Sequence, residues 1–499
     1  MKNVSWLRSL DFQRASMLVG FWKSVKNRPK LALSQLFCII FIPVSFLAFA
    51  GWIDLRKYDP VIAVRKQLSP TPDCVTWNHT GVCPKIHPAS SPTKPRSGSS
   101  CPDYFRWIHE DLRHWRKTGI TERMVSGARR TAHFRLTILG GKMYVEKFRE
   151  AFQSRALFTL WGFGQLMRRY GGKLPDLELM FDCNDRPVVK AEQYAAEGAA
   201  PPPLFKYCAD NSTFDIVFPD WTFWGWAEVN IKPWSKFLKE TKEGMEKSKW
   251  EDRVPYAYWK GNPKVSRQRH LLMTCNPTPQ NEWNARIYAL DWEQEAQRGF
   301  NQSNLAKQCT HRYKIYAEGQ AWSVSEKYIL ACNSPTLLIQ SRWHDFFTRG
   351  LVPQRHYWPV RDSQMCKSIK FAVEWGNNHT TKAKEIGEAG SHFAHEALRM
   401  DNVYDYMFHL LNEYAKLFKY KPKIPPDATE LCTEALACHA HGKWREFMEE
   451  SLEKFPSDSP PCTMPPPFDL GAFARAKMEA VDEVEAWEDE YWRKKDNVH

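Results

Sequence analysis

Charge is the first thing this sequence lacks: from Leu31 to Ile53, twenty-three residues pass without one charged side chain. A bilayer core needs about 20 predominantly apolar residues, so the stretch predicts a transmembrane helix. It is longer than the apolar core of a cleaved signal peptide and follows a thirty-residue arm. Residues 1–30 hold seven Lys and Arg against Asp11 alone. This imbalance predicts a cytoplasmic arm and a single-pass type II anchor with a lumenal body.

The chain also lacks the features of a nucleic-acid-binding protein. Its net charge is +13, but the arm accounts for +6, which leaves about +7 for the 446 residues after the predicted anchor. No basic helix, zinc-ligand spacing or aromatic RNA motif is found, so nucleic acid is excluded as an expected partner. With 43% hydrophobic and 25% charged residues, disorder is excluded as the overall state.

Sequons and cysteines point to an oxidising compartment. Acceptor sequons for N-glycosylation all follow the predicted anchor, at Asn78, Asn211, Asn301 and Asn378. Of 13 cysteines, Cys38 falls inside the anchor, and the other twelve permit up to six disulfides, with free buried thiols as the alternative. The chain ends DNVH rather than in a KDEL-type signal, which favours the Golgi over the endoplasmic reticulum for a membrane-anchored protein.

Beyond the anchor the pattern predicts an α/β protein. Residues 54–100 are rich in Pro, Ser and charge and are expected to form a stem. A helical stretch is expected over 144–167, and buried strands at 177–181, 214–218, 256–259, 313–317 and 336–339. This alternation predicts two Rossmann-like domains with parallel sheets, over 101–247 and 248–375, followed by helices that pack back on the core over 376–420. Over the extension, 421–499, we expect a solvated terminal helix, with a partner-binding helix as the alternative.

Two loops stand out, because ligand sites form beyond the carboxyl ends of strands in open α/β sheets. The first, DCNDRP, spans Asp182 to Pro187. Three interpretations fit it: Asp185 as a general base, Asp182 and Asp185 as a metal-binding pair, or an Asx turn before proline. The second, AEGQAWSVSEK, holds Gly319 for a tight turn and a Ser323/Glu326 capping box. It predicts a helix from Val324, with an N-terminus that suits a diphosphate or serves only as a capped end.

A third stretch, PDWTFWGW, is dense in aromatic residues: Trp221, Phe223, Trp224 and Trp226. Sugar rings stack on such side chains, so these residues are candidates for acceptor binding. Packing in a hydrophobic core is the alternative.

Five ordered motifs resemble one known family. DCNDRP, PDWTFWGW, YAYWKGNP, HRYKIYAEGQAWSVSEKYILAC and FFTRGLVPQRHYWPV are similar to those of the glycosyltransferases that include the Rumi-type protein O-glucosyltransferases and fungal capsule-associated xylosyltransferases. Its plant members also have an N-terminal anchor. The resemblance covers roughly 101–420 and implies a GT-B-like fold, acceptor domain first and UDP-sugar domain second. It also implies an inverting reaction that needs no metal or other cofactor.

The resemblance also implies roles for single residues. Asp185 falls at the position of the catalytic base, and the turn from Gly319 through Ser323 to Ser325 at the position that holds UDP. Lys260 becomes a candidate charge partner of the diphosphate, Glu318 a candidate nucleotide contact, and Cys309 and Cys332 a disulfide. Animal members carry arginine where this chain has Ser325, so the missing contact is expected from Lys260, Arg312 or Lys327.

Two functions are compatible with these expectations. The first is transfer of glucose or xylose from a UDP-sugar to a hydroxyl of a protein or glycan in the Golgi or endoplasmic reticulum. The second is a catalytically inactive, membrane-tethered carbohydrate-binding protein on the same scaffold. Asp185 favours the first, and Ser325 keeps the second open.

Overall fold

The structure is a computed structural model and describes residues 71–84, 100–196, 199–246 and 248–497. The predicted arm, 1–30, and the predicted anchor, 31–53, lie outside these residues. Within the described ranges, no helix combines the length and apolar character needed to cross a membrane.

The described residues build two sheets. The first has six strands in the order β11-β2-β1-β3-β4-β5, and the second has five in the order β10-β9-β8-β6-β7. The strands are β1 Phe134–Leu139, β2 Lys142–Lys147, β3 Leu177–Phe181, β4 Leu204–Lys206, β5 Ile216–Val217, β6 Val254–Gly261, β7 Ala285–Ala289, β8 His311–Tyr316, β9 Thr336–Ile339, β10 Trp358–Val360 and β11 Thr429–Leu431.

Helices precede, connect and follow the strands. They are α1 Cys74–Thr80, α2 Trp107–Asp111, α3 Glu122–Gly127, α4 Arg155–Arg169, α5 Trp234–Glu246, α6 Arg267–Leu272, α7 Trp292–Gln297, α8 Ser325–Leu330, α9 Met365–Asn378, α10 Thr380–His392, α11 Met400–Ala415, α12 Thr433–Ala437, α13 Gly442–Glu450 and α14 Leu470–Asp496.

The second sheet is parallel throughout, as predicted. The first is mixed, which corrects the expectation of two parallel sheets: β3, β4 and β5 run parallel, but β1, β2 and β11 pair antiparallel. The cause is a tight turn at Gly140 and Gly141, both at positive φ, which folds β1 and β2 into a hairpin. The helix predicted from residue 144 is wrong at its start, because 142–147 is strand and α4 begins at Arg155.

Five disulfides form among the described residues. Cys309–Cys332 is confirmed, whereas Cys183 and Cys208 stay free and buried, so the sixth possible bond is not made. Three bonds join the start of the body to the C-terminal extension: Cys74–Cys438, Cys83–Cys432 and Cys101–Cys462. The predicted stem is therefore not a spacer throughout, because residues 71–84 are bonded to the folded body.

The C-terminal extension is part of the fold. β11 adds an edge strand to the first sheet, and one face of α14 packs on the core of the second. Val484 and Glu488 of α14 are buried, and Ser368 of α9 donates to Glu488 (2.9 Å). A solvated terminal helix was the wrong expectation, because a helix with a buried face needs only a narrow apolar stripe among its charges.

Candidate active site

Asp182 is the first residue of DCNDRP, directly after β3, and its side chain is bonded to other residues of the fold. Its Oδ2 accepts from Lys206 Nζ at 2.8 Å and its Oδ1 from the Asn184 amide at 2.9 Å. Asp182 and Lys206 are both buried. The second contact is the Asx turn. Burial opposes ionisation of Asp182, but hydrogen bonds from His133 and Lys206 hold the pKa of its carboxyl below its usual range. Both oxygens of this buried carboxylate thus have partners within the protein, which favours the structural interpretation over a metal pair.

Asp185 is held at one oxygen and is accessible. Arg155, the first residue of α4, donates from Nη1 to Asp185 Oδ1 at 3.0 Å, and the Asp185 side chain is 35% exposed. The Asp185 carbonyl accepts a hydrogen bond from the Cys208 thiol. Arg155 thus holds the Asp185 carboxylate at Oδ1, while the side chain stays partly exposed to solvent.

The second loop follows β8. Gly319 is required there by close approach, because a Cβ would lie 2.7 Å from the Trp322 carbonyl oxygen. The predicted capping box does not form: the Ser323 amide donates to the Tyr316 hydroxyl, and the buried Glu326 carboxylate accepts from Thr348 instead. α8 begins at Ser325, one residue later than expected.

Arg269 of α6 lies against this loop and was missed by the sequence analysis. Its guanidinium donates to Ser323 Oγ (2.8 Å) and the Ala317 carbonyl (3.3 Å). None of its hydrogen bonds within the described chain goes to a carboxylate. Burial lowers the pKa of Arg269 to about 10. A cation that is removed from water without a bonded anion is a ready partner for a phosphate.

Two further donor candidates lie at the carboxyl ends of strands in the second sheet. Glu318 lies two residues after β8, accepts from Ser341 Oγ at 2.8 Å, and has its pKa raised by burial. Lys260 lies near the end of β6, where its ammonium donates to the Gln302 carbonyl (2.8 Å). Ser325 contacts Ser323 through their hydroxyls (2.8 Å), so it belongs to the loop itself.

The two loops meet. Arg186, next to Asp185, donates to the Gln320 carbonyl at 3.3 Å. Arg342 also pairs with Asp210 (2.9 Å). This ion pair joins the segment after β9 to the segment after β4. The structure therefore brings the loop that carries Asp185 into contact with the Gly319 turn.

Two predicted donor contacts lie elsewhere. Arg312 is the second residue of β8, at the opposite end of the strand from Gly319, and donates to Asn377 and the Glu251 carbonyl. Lys327 is buried, and its ammonium donates to Asp220, Thr222 and the Val324 carbonyl. Since an ammonium has three donors, Lys327 has none left for a ligand.

Three of the four aromatic acceptor candidates are core residues. Trp221, Phe223 and Trp224 are at most 1% exposed, so none presents a ring face to a sugar. Trp224 packs on α4 at Gly162, where an added Cβ would lie 2.5 Å from its ring. Only Trp226 of the four is partly exposed.

The asparagines of the four sequons are all exposed: Asn78, Asn211, Asn301 and Asn378. Their glycosylation stays a prediction.

A mixed and a parallel sheet, connected by helices, define a protein of the α/β class. The model of glycosyl transferase family 90 matches residues 96–488. The chain belongs to this family and is a glycosyltransferase by that membership.

Curated relatives support the same family. The O-glucosyltransferase rumi homolog of Aedes aegypti is 27% identical over 355 residues, 68% of this chain and 84% of the relative. Protein O-glucosyltransferase 1 of Homo sapiens is 26% identical over 346 residues, 66% of this chain and 83% of the relative. O-glucosyltransferase rumi of Drosophila melanogaster is 24% identical over 361 residues, 68% and 84%.

The missed residues gave weak signals. Arg155 is a charge at the head of an otherwise apolar helical run, ALFTLWGFGQLM, and such a charge needs a partner. Arg269 is one of two arginines within RQR after β6, and nothing in the sequence tells the exposed member from the buried one.

Proposed function

We propose that this protein transfers a sugar, glucose or xylose, from a UDP-sugar to a hydroxyl group with inversion at the anomeric carbon. The observation that carries the proposal is Asp185: an accessible carboxylate, held by Arg155, in a loop that contacts the Gly319 turn, against which Arg269 lies. These are the two charges that a displacement without a covalent intermediate requires, a base for the acceptor and a cation for the leaving group.

Asp185 acts as the general base. The acceptor hydroxyl gives its proton to the carboxylate as its oxygen attacks the anomeric carbon from the face opposite UDP. Because Arg155 occupies only Oδ1, Oδ2 is the oxygen proposed to take the proton. Holding the carboxylate in one orientation lowers the entropy lost on reaching the reactive geometry.

Arg269 is the proposed contact of the UDP diphosphate, with Ser323 and Ser325 beside it. As the bond to the sugar breaks, negative charge grows on the diphosphate, and a preorganised cation stabilises it. Arg269 can thereby replace the arginine that animal members carry at the position of Ser325. Glu318 and Lys260 stay candidates for the nucleoside end and the diphosphate, respectively, and this scheme requires no metal or other cofactor.

A polypeptide is the favoured acceptor class, because the relatives named above include a protein O-glucosyltransferase. A glycan acceptor is the alternative. The proposed setting is the lumen of the Golgi or endoplasmic reticulum, with the chain anchored through 31–53. Five disulfides and four exposed sequon asparagines support an oxidising lumenal environment.

The test is UDP release by the full-length chain, purified in detergent from a secretory host, with UDP-glucose and UDP-xylose as donors. We expect turnover with one donor and a loss of roughly 10²- to 10⁴-fold in Asp185→Asn. The variant should keep UDP binding and the unfolding midpoint of the wild type, because Asp185 is partly exposed.

An Asp185→Asn variant that turns over at the wild-type rate would contradict the proposal. Binding of a UDP-sugar or a sugar without any turnover would instead favour the second candidate, a carbohydrate-binding protein on this scaffold. The feature that favours this second candidate is Ser325 in place of an arginine.

A further inference from the structure

A large aromatic side chain stands exposed beside the proposed base. Phe152 lies three residues before Arg155 and is 59% exposed. Among the described residues most large hydrophobic side chains are buried, and exposing a phenylalanine costs the hydrophobic free energy that its burial would give. Next to Asp185, an exposed ring is available to contact a bound substrate.

The segment that carries Phe152 is held in place. Gln153 has φ +53°, a left-handed conformation that costs a non-glycine residue about 1 kcal/mol or more. Two side-chain hydrogen bonds maintain it: Trp226 Nε1 donates to Gln153 Oε1 (2.7 Å), and Ser154 Oγ donates to Glu228 Oε2 (2.7 Å). Phe152 is therefore presented by a braced loop.

Arg155 joins this loop to the base. Its guanidinium carbon lies 5.2 Å from the Phe152 ring centroid and 5.9 Å from that of Trp226, while its Nη1 contacts Asp185. It also lies 4.6 Å from the centroid of the buried Trp221 ring. A ligand that covers Phe152 and Trp226 is thus separated from the Asp185 carboxylate by the Arg155 guanidinium, which contacts both.

The chemistry of the two rings selects the occupant. Phe152 has no polar side-chain atom, and the single indole N–H of Trp226 is already bonded to Gln153. A sugar ring needs partners for its hydroxyls when it is desolvated, and these rings offer carbon only. An aliphatic or aromatic side chain of a polypeptide loses nothing by leaving water there.

We propose that Phe152 and Trp226 form an acceptor subsite that receives an apolar side chain of a polypeptide, next to the serine or threonine hydroxyl delivered to Asp185. This rests on the proposed function. Covering the two rings also shields the Arg155–Asp185 pair from water, so the acceptor completes the environment of the base.

The test uses the full-length chain in detergent with the better of the two donors. The acceptor probes are two synthetic peptides with one serine each, identical except that leucine and phenylalanine flank the serine in one and asparagine and glutamine in the other, together with methyl β-glucoside. We expect transfer to the apolar peptide, with an apparent KM about 10-fold higher in Phe152→Ala and near the wild-type value in Phe152→Leu.

Two readouts separate this role from general damage. The loss should appear in the KM for the apolar peptide and not in the kcat at saturating peptide, because Phe152 contacts the flanking side chain and not the reacting atoms. Phe455→Ala is the matched control: Phe455 is also exposed (46%), but it follows Glu453, whose amide is bonded to Gln165 near the other end of α4. It should leave the KM unchanged.

The proposal is overturned by equal use of the two peptides, by preference for the glucoside, by hydrolysis of the UDP-sugar without transfer to either peptide, or by a Phe152→Ala variant with an unchanged KM. Failure of the proposed function looks different: it shows neither hydrolysis of the UDP-sugar nor transfer, and it removes this proposal with it.

Discussion

The DCNDRP loop and the Gly319 turn both follow buried parallel strands, yet they treat charge in opposite ways. The first holds both of its carboxylates in ion pairs, Asp182 with Lys206 and Asp185 with Arg155, while its Arg186 donates to the Gln320 carbonyl. The second lies against Arg269 of α6, whose hydrogen bonds go only to hydroxyl and carbonyl oxygens. A paired loop can hold a carboxylate in one orientation, whereas an uncompensated cation is poised to receive an anion. This difference is the basis for the proposed roles of the two loops, proton transfer at the first and phosphate binding at the second.

The sharpest test of this comparison lies within DCNDRP and has the largest expected effect. Asp182→Ala should lower the free energy of unfolding by about 3–5 kcal/mol, because it leaves the buried Lys206 without its anion. Asp185→Ala should change stability far less, since Asp185 is partly exposed and Arg155 retains the Cys183 carbonyl. Urea unfolding of both variants measures the difference. Equal losses in the free energy of unfolding would mean that both carboxylates serve to stabilise the fold.

The second test concerns the donor side. Arg269→Gln should weaken UDP binding roughly 10- to 100-fold, because a charge-assisted contact to the diphosphate is lost. Lys260→Gln tests the other candidate contact of the diphosphate, and less than about a threefold change is expected, since its ammonium is already bonded to the Gln302 carbonyl. Calorimetric titration with UDP gives both constants. A larger loss in the Lys260 variant would reverse the assignment of the phosphate contact.

The smallest expected effect concerns α8, which follows the Gly319 turn. Burial, together with the neighbouring Asp345 carboxylate, raises the pKa of Glu326, while Thr348, Lys477 and Lys327 oppose the shift. A carboxyl whose folded pKa is raised stabilises the fold when protonated, so its contribution fades as pH rises above the ordinary glutamate range.

Glu326→Gln removes that titration. Between pH 5 and pH 8, the melting temperature of the wild type should therefore fall further than that of the variant, by a few degrees. Thermal melts across this range measure it. Parallel pH profiles for the two proteins would show that Glu326 does not titrate as its surroundings imply.

The sequence was sufficient where the signal was local. The five predicted strands lie at or beside observed strands, because buried parallel strands read as short apolar runs. The identity of the loops after β3 and β8 followed from the same runs. Cys309–Cys332 came from the family resemblance, since the pairing of cysteines is not determined by their spacing.

The failures among the site residues depend on contacts between distant segments. Arg312 and Lys327 are cations near the Gly319 turn in sequence, but one lies at the far end of β8 and the other is turned toward Asp220. Trp224 is identified as a core residue, and not a sugar-stacking one, by its packing against Gly162 of α4, which is distant in sequence. Arg269 became visible as a candidate only when its hydrogen-bond partners could be counted.

The three disulfides between the start of the body and the C-terminal extension have a consequence for biosynthesis. Their cysteines are 364, 349 and 361 residues apart, so the ribosome supplies the second thiol on the order of tens of seconds after the first. Cys74, Cys83 and Cys101 therefore have no native partner until most of the chain has been synthesised. A chain that terminates early exposes all three, and a thiol-dependent retention system can distinguish it from the finished protein.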